Sequence, residues 1–220
     1  MFLVERLNLP DPAPELIHQF REAAAQVHLD PDNKRWLDEF YDNQINSALH
    51  KFCPLPELDQ ALRDQYQTYF PKHRIDCWAG IMRPADDRPA CLPPHADRGR
   101  ALAINYVVDY GGDLVSTLLY DQILDVTDQS TNLRYDQVQV VEHHVLGSGW
   151  MAYNVNRCHS VERIQGTRLI MIIRLDTPNK DYDLDHLRQD YADLFAVVHT
   201  KLNTSATPGS SDVGSNRRLT

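Results

Sequence analysis

Two histidines, one aspartate and one arginine between positions 95 and 168 could together build a metal centre. His95 and Asp97 are separated by one residue, whereas His159 lies much further along. Two histidines and one carboxylate on one face of a metal leave the opposite coordination positions open, as in facial-triad Fe(II) sites. Arg168, nine positions after His159, could pair bidentately with the carboxylate of a ligand. These residue types predict an open iron site with an anion-binding residue nearby.

Each of these residues also has an ordinary structural interpretation. A second His-x-Asp sequence, His28-Leu29-Asp30, follows a helical pattern, and we interpret it as a helix terminus. In the same way, His95 could be a turn histidine, Asp97 a solvated acid, and His159 a structural residue. Arg168 is different because it opens a strand that is apolar on both faces, where a buried charge needs a partner. That partner could be a structural aspartate or a bound ligand.

Short segments rich in β-forming residues surround these positions. We predict strands over residues 74–82, 101–108, 114–120, 135–145, 150–155 and 168–175. A loop with four prolines, at 84–94, should end the first strand, so that the next begins near His95. The last strand divides into two faces, with Leu169, Met171 and Ile173 on one and Arg168, Ile170, Ile172 and Arg174 on the other. Apolar residues on both faces indicate that both are covered, and strands at such intervals predict a sandwich or barrel.

The sequence around these residues resembles the Fe(II)/2-oxoglutarate-dependent oxygenases. The matching stretches are 94–100 running into 103–106, and 154–161 running through 166–170, so that the resemblance covers roughly residues 75–176. The small single-domain enzymes of the aspartyl/asparaginyl hydroxylase-like and prolyl hydroxylase-like type are the most similar. The interval between His159 and Arg168 is one residue shorter than is usual in that family. The resemblance implies a mainly β protein with flanking helices around a double-stranded β-helix, the cupin-like jelly-roll.

The resemblance also implies a role for each matching residue. The residues that would ligate Fe(II) and form the catalytic centre are His95, Asp97 and His159. Arg168 would bind the distal carboxylate of the cosubstrate 2-oxoglutarate, and Asn105 and Tyr120 would add polar contacts to it. With O2 as the second cosubstrate, such an enzyme hydroxylates an amino acid, a peptidyl residue or a small metabolite and releases succinate and CO2.

Two other functions remain open at this point. A cupin-type metalloprotein with cosubstrate-independent chemistry would bind a metal but pair Arg168 with a protein acid. A non-enzymatic jelly-roll binding module would bind no metal tightly. The identity of a substrate is not indicated, although arginines near the proposed ligands could either meet an anionic substrate or be solvated: Arg98, Arg100, Arg157 and Arg163.

The predicted organisation is a single domain over residues 1–202. Residues 1–72 should be mostly helical, with helices over 14–28, 35–51 and 56–70 that buttress the barrel. Residues 73–176 should form the jelly-roll, and residues 177–202 should contain a C-terminal helix over 184–202. Residues 203–220 are rich in Ser, Thr, Gly and Asn, and we predict that this tail is disordered.

The composition limits which binding partners and which cellular compartment we expect for the protein. A net charge of −9 argues against nucleic-acid binding, which needs a basic surface. The four cysteines lack paired spacing, which indicates free thiols. No signal peptide and no apolar run of membrane-spanning length is evident. We therefore expect a cytoplasmic enzyme with a small-molecule or peptidyl substrate and no membrane partner, and the oligomeric state is not indicated.

Overall fold

Strands dominate the part of the chain that the computed structural model describes, which comprises residues 4–97, 99–125, 131–144 and 149–195. The strands are β1 Val4–Arg6, β2 Leu49–Pro54, β3 Ile75–Arg83, β4 Ala90–Ala96, β5 Leu102–Tyr110, β6 Ser116–Ile123, β7 Thr131–Asn132, β8 Val140–His144, β9 Trp150–Asn154, β10 Arg157–Ile164 and β11 Arg168–Leu175. The α-helices are α1 Pro14–Ala25, α2 Pro31–Phe40, α3 Asp59–Tyr66 and α4 Leu184–Asp190. Short 3-10 turns occupy Pro56–Leu58, Gln67–Tyr69, Tyr135–Gln137 and Ala192–Leu194.

The strands form two antiparallel sheets. The larger sheet has the order β1-β9-β5-β11-β3-β2, and the smaller has the order β7-β4-β10-β6-β8. From β3 to β6, and again from β9 to β11, successive strands alternate between the two sheets. This alternation is the double-stranded β-helix, and it confirms the predicted cupin-like jelly-roll with flanking helices.

The two faces of β11 show how the larger sheet is covered. Leu169, Met171 and Ile173 pack in the main core, together with side chains of α1 and α3. Ile170 and Ile172 point the other way, into the space between the sheets. Side chains alternate along a strand, so the predicted division of this strand into two apolar faces is confirmed.

Helix α1 covers the outer face of the larger sheet. Its first residue is Pro14, whose fixed φ suits the first helical position. Leu16, Phe20 and Ala24 recur at intervals of four residues and are all buried, so they form the stripe that packs on the core. The sequence-predicted helix over 14–28 is thus present, although it ends at Ala25.

The second predicted helix, over 35–51, is wrong in both bounds. Helix α2 begins at Pro31, and Asp30 caps it by accepting a hydrogen bond from the Asp32 amide at 2.9 Å. The helix ends at Phe40 because Asp42 and Asn43 adopt the left-handed conformation, with φ of 54° and 55°. Residues 49–54 then form β2, which pairs with β3. Strands β1 and β2, both from the N-terminal region, are the two edge strands of the larger sheet.

Three other boundaries differ from the prediction. Strand β4 begins at Ala90, and its two prolines fit because the pairing with β10 is irregular between Leu92 and His95. Of the described residues 135–144 of the strand predicted over 135–145, residues 140–144 form the strand β8. The C-terminal helix ends at Asp190, since a 3-10 turn follows and Phe195 then bridges to Leu7. Residues 196–202 of that helix and the predicted tail lie outside the described residues.

Three further observations concern the third predicted helix, the cysteines and the length of the helices. The third predicted helix, over 56–70, is present as α3 between two 3-10 turns. The cysteines at positions 53, 77, 91 and 158 are free thiols. Among the helices of the described ranges, none has the length and apolar character that crossing a membrane requires.

The packing of α1 on the sheet predicts a large effect of one core truncation. Phe20 is fully buried, whereas its neighbour Gln19 is exposed. Phe20→Ala should lower the free energy of unfolding by about 3–5 kcal/mol, because a buried ring and its packing are lost. Gln19→Ala should change it by less than about 0.5 kcal/mol. Urea denaturation measures both, and equal effects of the two substitutions would contradict the packing described for α1.

Candidate metal centre

Two neighbouring strands bring the two predicted histidine ligands together. His95 on β4 and His159 on β10 are register partners, so their side chains leave the smaller sheet on the same face. Asp97 follows the end of β4, and its amide donates to the carbonyl of Val155 at 2.9 Å. Within the described ranges, these three residues are the group of His, Cys, Asp and Glu side chains that could hold a metal ion.

The donor atoms of the three residues face one common point. The Nε2 atom of His95 lies 3.5 Å from Oδ1 of Asp97, and Nε2 of His159 lies 3.9 Å from the same oxygen. One ligand atom from each residue lies within 4.8 Å of the other two. A cation about 2.1 Å from each donor would draw these atoms slightly closer together. The arrangement therefore fits a metal bound on one side by two imidazoles and one carboxylate.

Backbone carbonyls fix the orientation of both imidazole rings. The Nδ1 atom of His95 lies 2.8 Å from the carbonyl of Pro93, and Nδ1 of His159 lies 3.0 Å from the carbonyl of Arg157. A carbonyl only accepts, so each Nδ1 carries the proton and each Nε2 keeps its lone pair. Metal-bound histidines are commonly oriented in this way.

Burial and neighbouring charges prepare the ionisation states that a metal needs. Burial lowers the pKa of His159 to about 4, and the neighbouring His95 acts in the same direction. Burial by itself would raise the pKa of Asp97, but the contact with His95 and the charge of Arg100 outweigh it and hold that pKa well below its usual range. At neutral pH the site thus offers a neutral His159 imidazole and an ionised Asp97.

Arg100 holds the second oxygen of the aspartate. Its Nη2 atom donates to Oδ2 of Asp97 at 2.9 Å, which leaves Oδ1 facing the histidines. Of the other arginines near the site, Arg157 donates to the carbonyl of Tyr120, and Arg163 is an exposed residue near the end of β10. Arg98 lies outside the described residues.

Arg168 is buried at the head of β11 with a single hydrogen bond in the described structure. Only 1% of its surface is exposed, and Nη1 donates to the carbonyl of Tyr110 at 3.1 Å. Its Nε atom is buried without a hydrogen-bond partner, and no carboxylate of the described ranges forms an ion pair with it. Burial lowers its pKa to about 10. Gly111, at φ 77°, lies so close that a Cβ there would sit 2.9 Å from the Cβ of Arg168.

The structure places the other two predicted cosubstrate residues differently. Asn105 faces the space between the sheets, where its Nδ2 donates to the Tyr153 hydroxyl at 2.8 Å and its buried Oδ1 has no partner. Tyr120 is not brought to the site. Its neighbour Leu119 is the register partner of His159, so Tyr120 points to the opposite face, with its hydroxyl 3.0 Å from that of Ser160.

Sequence reasoning missed two polar side chains that line the site. Thr117 lies on the inward face of β6 beside Val161, and the Tyr153 hydroxyl lies next to Asn105. Neither stands in a motif. Their inward orientation depends on the strand register. Predicting this orientation from the sequence would have required the register without an error of even one residue.

Two cavities that share lining residues lie beside the candidate metal ligands. A wide, open cavity of about 830 Å³ includes His95 and Asp97 in its wall. A second cavity of about 20 Å³ lies deeper, between Asp97, Asn105, His159 and Arg168. The side chains that line both are Phe52, Leu92, Asp97 and Arg100.

No protein-family model matches the sequence, and no curated protein matches it. Solved structures are similar in fold. AviO1 from Streptomyces viridochromogenes Tue57 is 16% identical, with 83% of this chain and 94% of that chain covered and a TM-score of 0.44. A Pseudomonas putida prolyl-4-hydroxylase is 13% identical, with coverages of 80% and 92% and a TM-score of 0.39. EvdO2 from Micromonospora carbonacea var. aurantiaca is 13% identical, with coverages of 81% and 96% and a TM-score of 0.39. The likeness is one of fold, and we take no activity from it.

The geometry predicts that metal affinity depends on the histidine pair. His159→Ala removes one of three donors, so its affinity for Fe(II) should fall by more than the 10- to 100-fold that loss of an outer-shell partner costs. His143 on β8 serves as the control because it is exposed and outside the cluster. Anaerobic calorimetry with Fe(II) measures both. Unchanged affinity in His159→Ala, or an equal loss in His143→Ala, would place the metal elsewhere.

Proposed function

We propose that the chain is an Fe(II)- and 2-oxoglutarate-dependent dioxygenase, of the small single-domain hydroxylase type. In this proposal His95, Asp97 and His159 hold the iron and Arg168 binds the distal carboxylate of 2-oxoglutarate. One observation carries it, namely that a fully buried guanidinium without a carboxylate partner lines the same inner cavity as two of the metal ligands.

The unpaired state of Arg168 is costly unless a ligand completes it. A buried charge is normally paired, because a low-dielectric interior cannot replace the water it has lost. The guanidinium has five donors, of which one contacts the carbonyl of Tyr110. A ligand carboxylate would satisfy the remaining donors in a fork-like geometry. The free Oδ1 of Asn105 in the same cavity adds an acceptor for a hydroxyl or water at that end.

The protein's own residues would orient the reaction and exclude water. Bound iron with 2-oxoglutarate would supply the activation of O2 for hydroxylation, with release of succinate and CO2. The carbonyls of Pro93 and Arg157 hold the two imidazoles, and Arg100 holds the carboxylate. Apolar side chains such as Leu92, Val161 and Ile170 close the inner cavity against solvent. The substrate, whether an amino acid, a peptidyl residue or a small metabolite, would enter through the wide cavity.

The inner cavity must widen to admit the cosubstrate. Its volume of about 20 Å³ is near the minimum that a single water needs. The side chains of Phe52 and Arg100 line both cavities, so their movement would open the passage to Arg168. Arg100 is held to the protein through Asp97, and metal binding to Asp97 would weaken that contact.

Substitution of Arg168 distinguishes two roles for this residue, namely binding of the 2-oxoglutarate carboxylate and stabilisation of the fold. Arg168→Met should weaken binding of 2-oxoglutarate to the Fe(II)-loaded protein by roughly 10- to 150-fold, because a charge-assisted pair is lost. The same substitution should raise the free energy of unfolding of the ligand-free protein by about 1–4 kcal/mol, since an unpaired buried charge is removed. Anaerobic calorimetry and urea denaturation measure the two quantities.

Arg88→Met is the matched control because Arg88 is exposed and pairs only locally with Asp86. It should leave both quantities unchanged. Cosubstrate binding that survives in Arg168→Met, together with a loss of stability, would show that Arg168 is structural. Metal binding without 2-oxoglutarate binding in the wild type would favour a cosubstrate-independent cupin-type metalloprotein, and no metal binding would leave a jelly-roll binding module.

A further inference from the structure

A second arginine on β11, Arg174, lines the wide cavity together with His95 and Asp97. Arg174 lies on the same inward face as Arg168, Ile170 and Ile172, six positions further along the strand. Its guanidinium lies over the ring of Trp78 on β3, 4.4 Å from the ring centroid. A guanidinium stacked on an indole is fixed in orientation while its edge donors stay available.

Arg174 is half-buried and has no carboxylate partner within the described ranges. Its register partner on β3 is Asp76, but that carboxylate lies 3.3 Å from Arg63 and 3.3 Å from Arg74. Burial lowers the pKa of Arg174 and the nearby charge of Arg100 lowers it further, whereas the charges of Asp76 and Asp176 oppose this shift. Within the described ranges, strand β11 thus carries two inward cations, Arg168 and Arg174, that form no ion pair with a protein acid.

The charges that line the wide cavity are unbalanced towards positive. Its acidic residues are already engaged, because Asp97 contacts Arg100 and Asp30 caps helix α2. Among its cations, Arg100 pairs with Asp97, whereas Arg174 and Lys51 form no ion pair in the part of the chain that the structure describes. This local excess occurs in a chain whose net charge is −9, so it does not follow from composition.

Aromatic side chains form the apolar part of the same cavity. Trp36 on α2 is 52% exposed although it is a large hydrophobic residue. Phe52 on β2 and Trp78 on β3 add two further rings to the wall. Binding sites for small molecules combine apolar walls with a few polar groups that fix orientation. The rings offer a surface for a flat apolar body, and Arg174 offers a fork for one anionic group.

We propose that the wide cavity binds a carboxylic acid with a flat, apolar body, whose carboxylate pairs with Arg174 and whose body packs against the rings of Trp36, Phe52 and Trp78. A carboxylate matches the edge of one guanidinium, so a single fixed arginine suffices for it. That this acid is the substrate to be hydroxylated rests on the proposed function, whereas its binding does not. The acid would lie in the same cavity as His95 and Asp97.

Matched pairs of acids and amides test the proposal. The probes are trans-cinnamate with trans-cinnamamide and indole-3-acetate with indole-3-acetamide, which share a body and differ in charge. Anaerobic calorimetry on the Fe(II)-loaded protein, with and without saturating 2-oxoglutarate, measures each affinity. The acids should bind at least about 10-fold more tightly than their amides, since a charge-assisted hydrogen bond is lost in the amide.

Substitutions locate the preference for the acid. Arg174→Gln should abolish it, Arg174→Lys should keep part of it, and Arg88→Gln should leave it intact because Arg88 lies outside the cavity. Arg168→Met should also keep it. The proposal would be overturned if the acids and amides bound with equal affinity or if no probe bound at all. It would also be overturned if the preference for the acid survived in Arg174→Gln or was lost in Arg168→Met. A preference that depends on Arg174 in a protein that does not bind 2-oxoglutarate would retain this site and reject the dioxygenase.

Discussion

The burial of the Arg168 guanidinium is the constraint on which the arrangement of the site depends. This cation begins a strand whose other residues are largely apolar, and within the described ranges it contacts one carbonyl and no carboxylate. Such a charge destabilises the folded chain unless something binds it. Its position in the same inner cavity as Asp97 and His159 therefore connects anion binding to the metal site. Under the proposed function, stability and ligand binding would compete at this residue, as is common at functional sites.

The alternation of the jelly-roll strands places four of the proposed functional groups, namely His95, His159, Arg168 and Arg174. Register pairing of β4 with β10 sets His95 opposite His159, and the inward face of β11 carries Arg168 at one end and Arg174 towards the other. The outward face of the same strand is apolar and packs under the N-terminal helices. Rigid strands hold such groups more accurately than loops do, and the carbonyls that orient the imidazoles belong to the same two strands. The candidate metal ligands therefore line the same cavities as Arg168 and Arg174, and neither arginine forms an ion pair within the described ranges.

Much of this could be predicted from the sequence because it depends on local alternation. The two apolar faces of β11 and the burial of the Arg168 charge can be predicted from the sequence of that strand alone. Tyr120 could not be placed in this way, because a shift of one residue moves a side chain to the other face and the pairing beside it is irregular. Residues 49–51 of β2 were predicted as the end of a helix, since the partner strand β3 lies far along the chain. The importance of Arg174 depends on the lack of an ion-pairing carboxylate among the described residues, which no local pattern records.

The most direct test of this account is a crystal structure of the protein grown anaerobically with Mn(II), as a redox-inert substitute for Fe(II), and 2-oxoglutarate. We predict that the metal is bound by Nε2 of His95, Nε2 of His159 and a carboxylate oxygen of Asp97, and that the distal carboxylate of 2-oxoglutarate pairs with Arg168. A structure in which Arg168 pairs with a protein carboxylate, or in which the metal lies away from these three residues, would contradict the account.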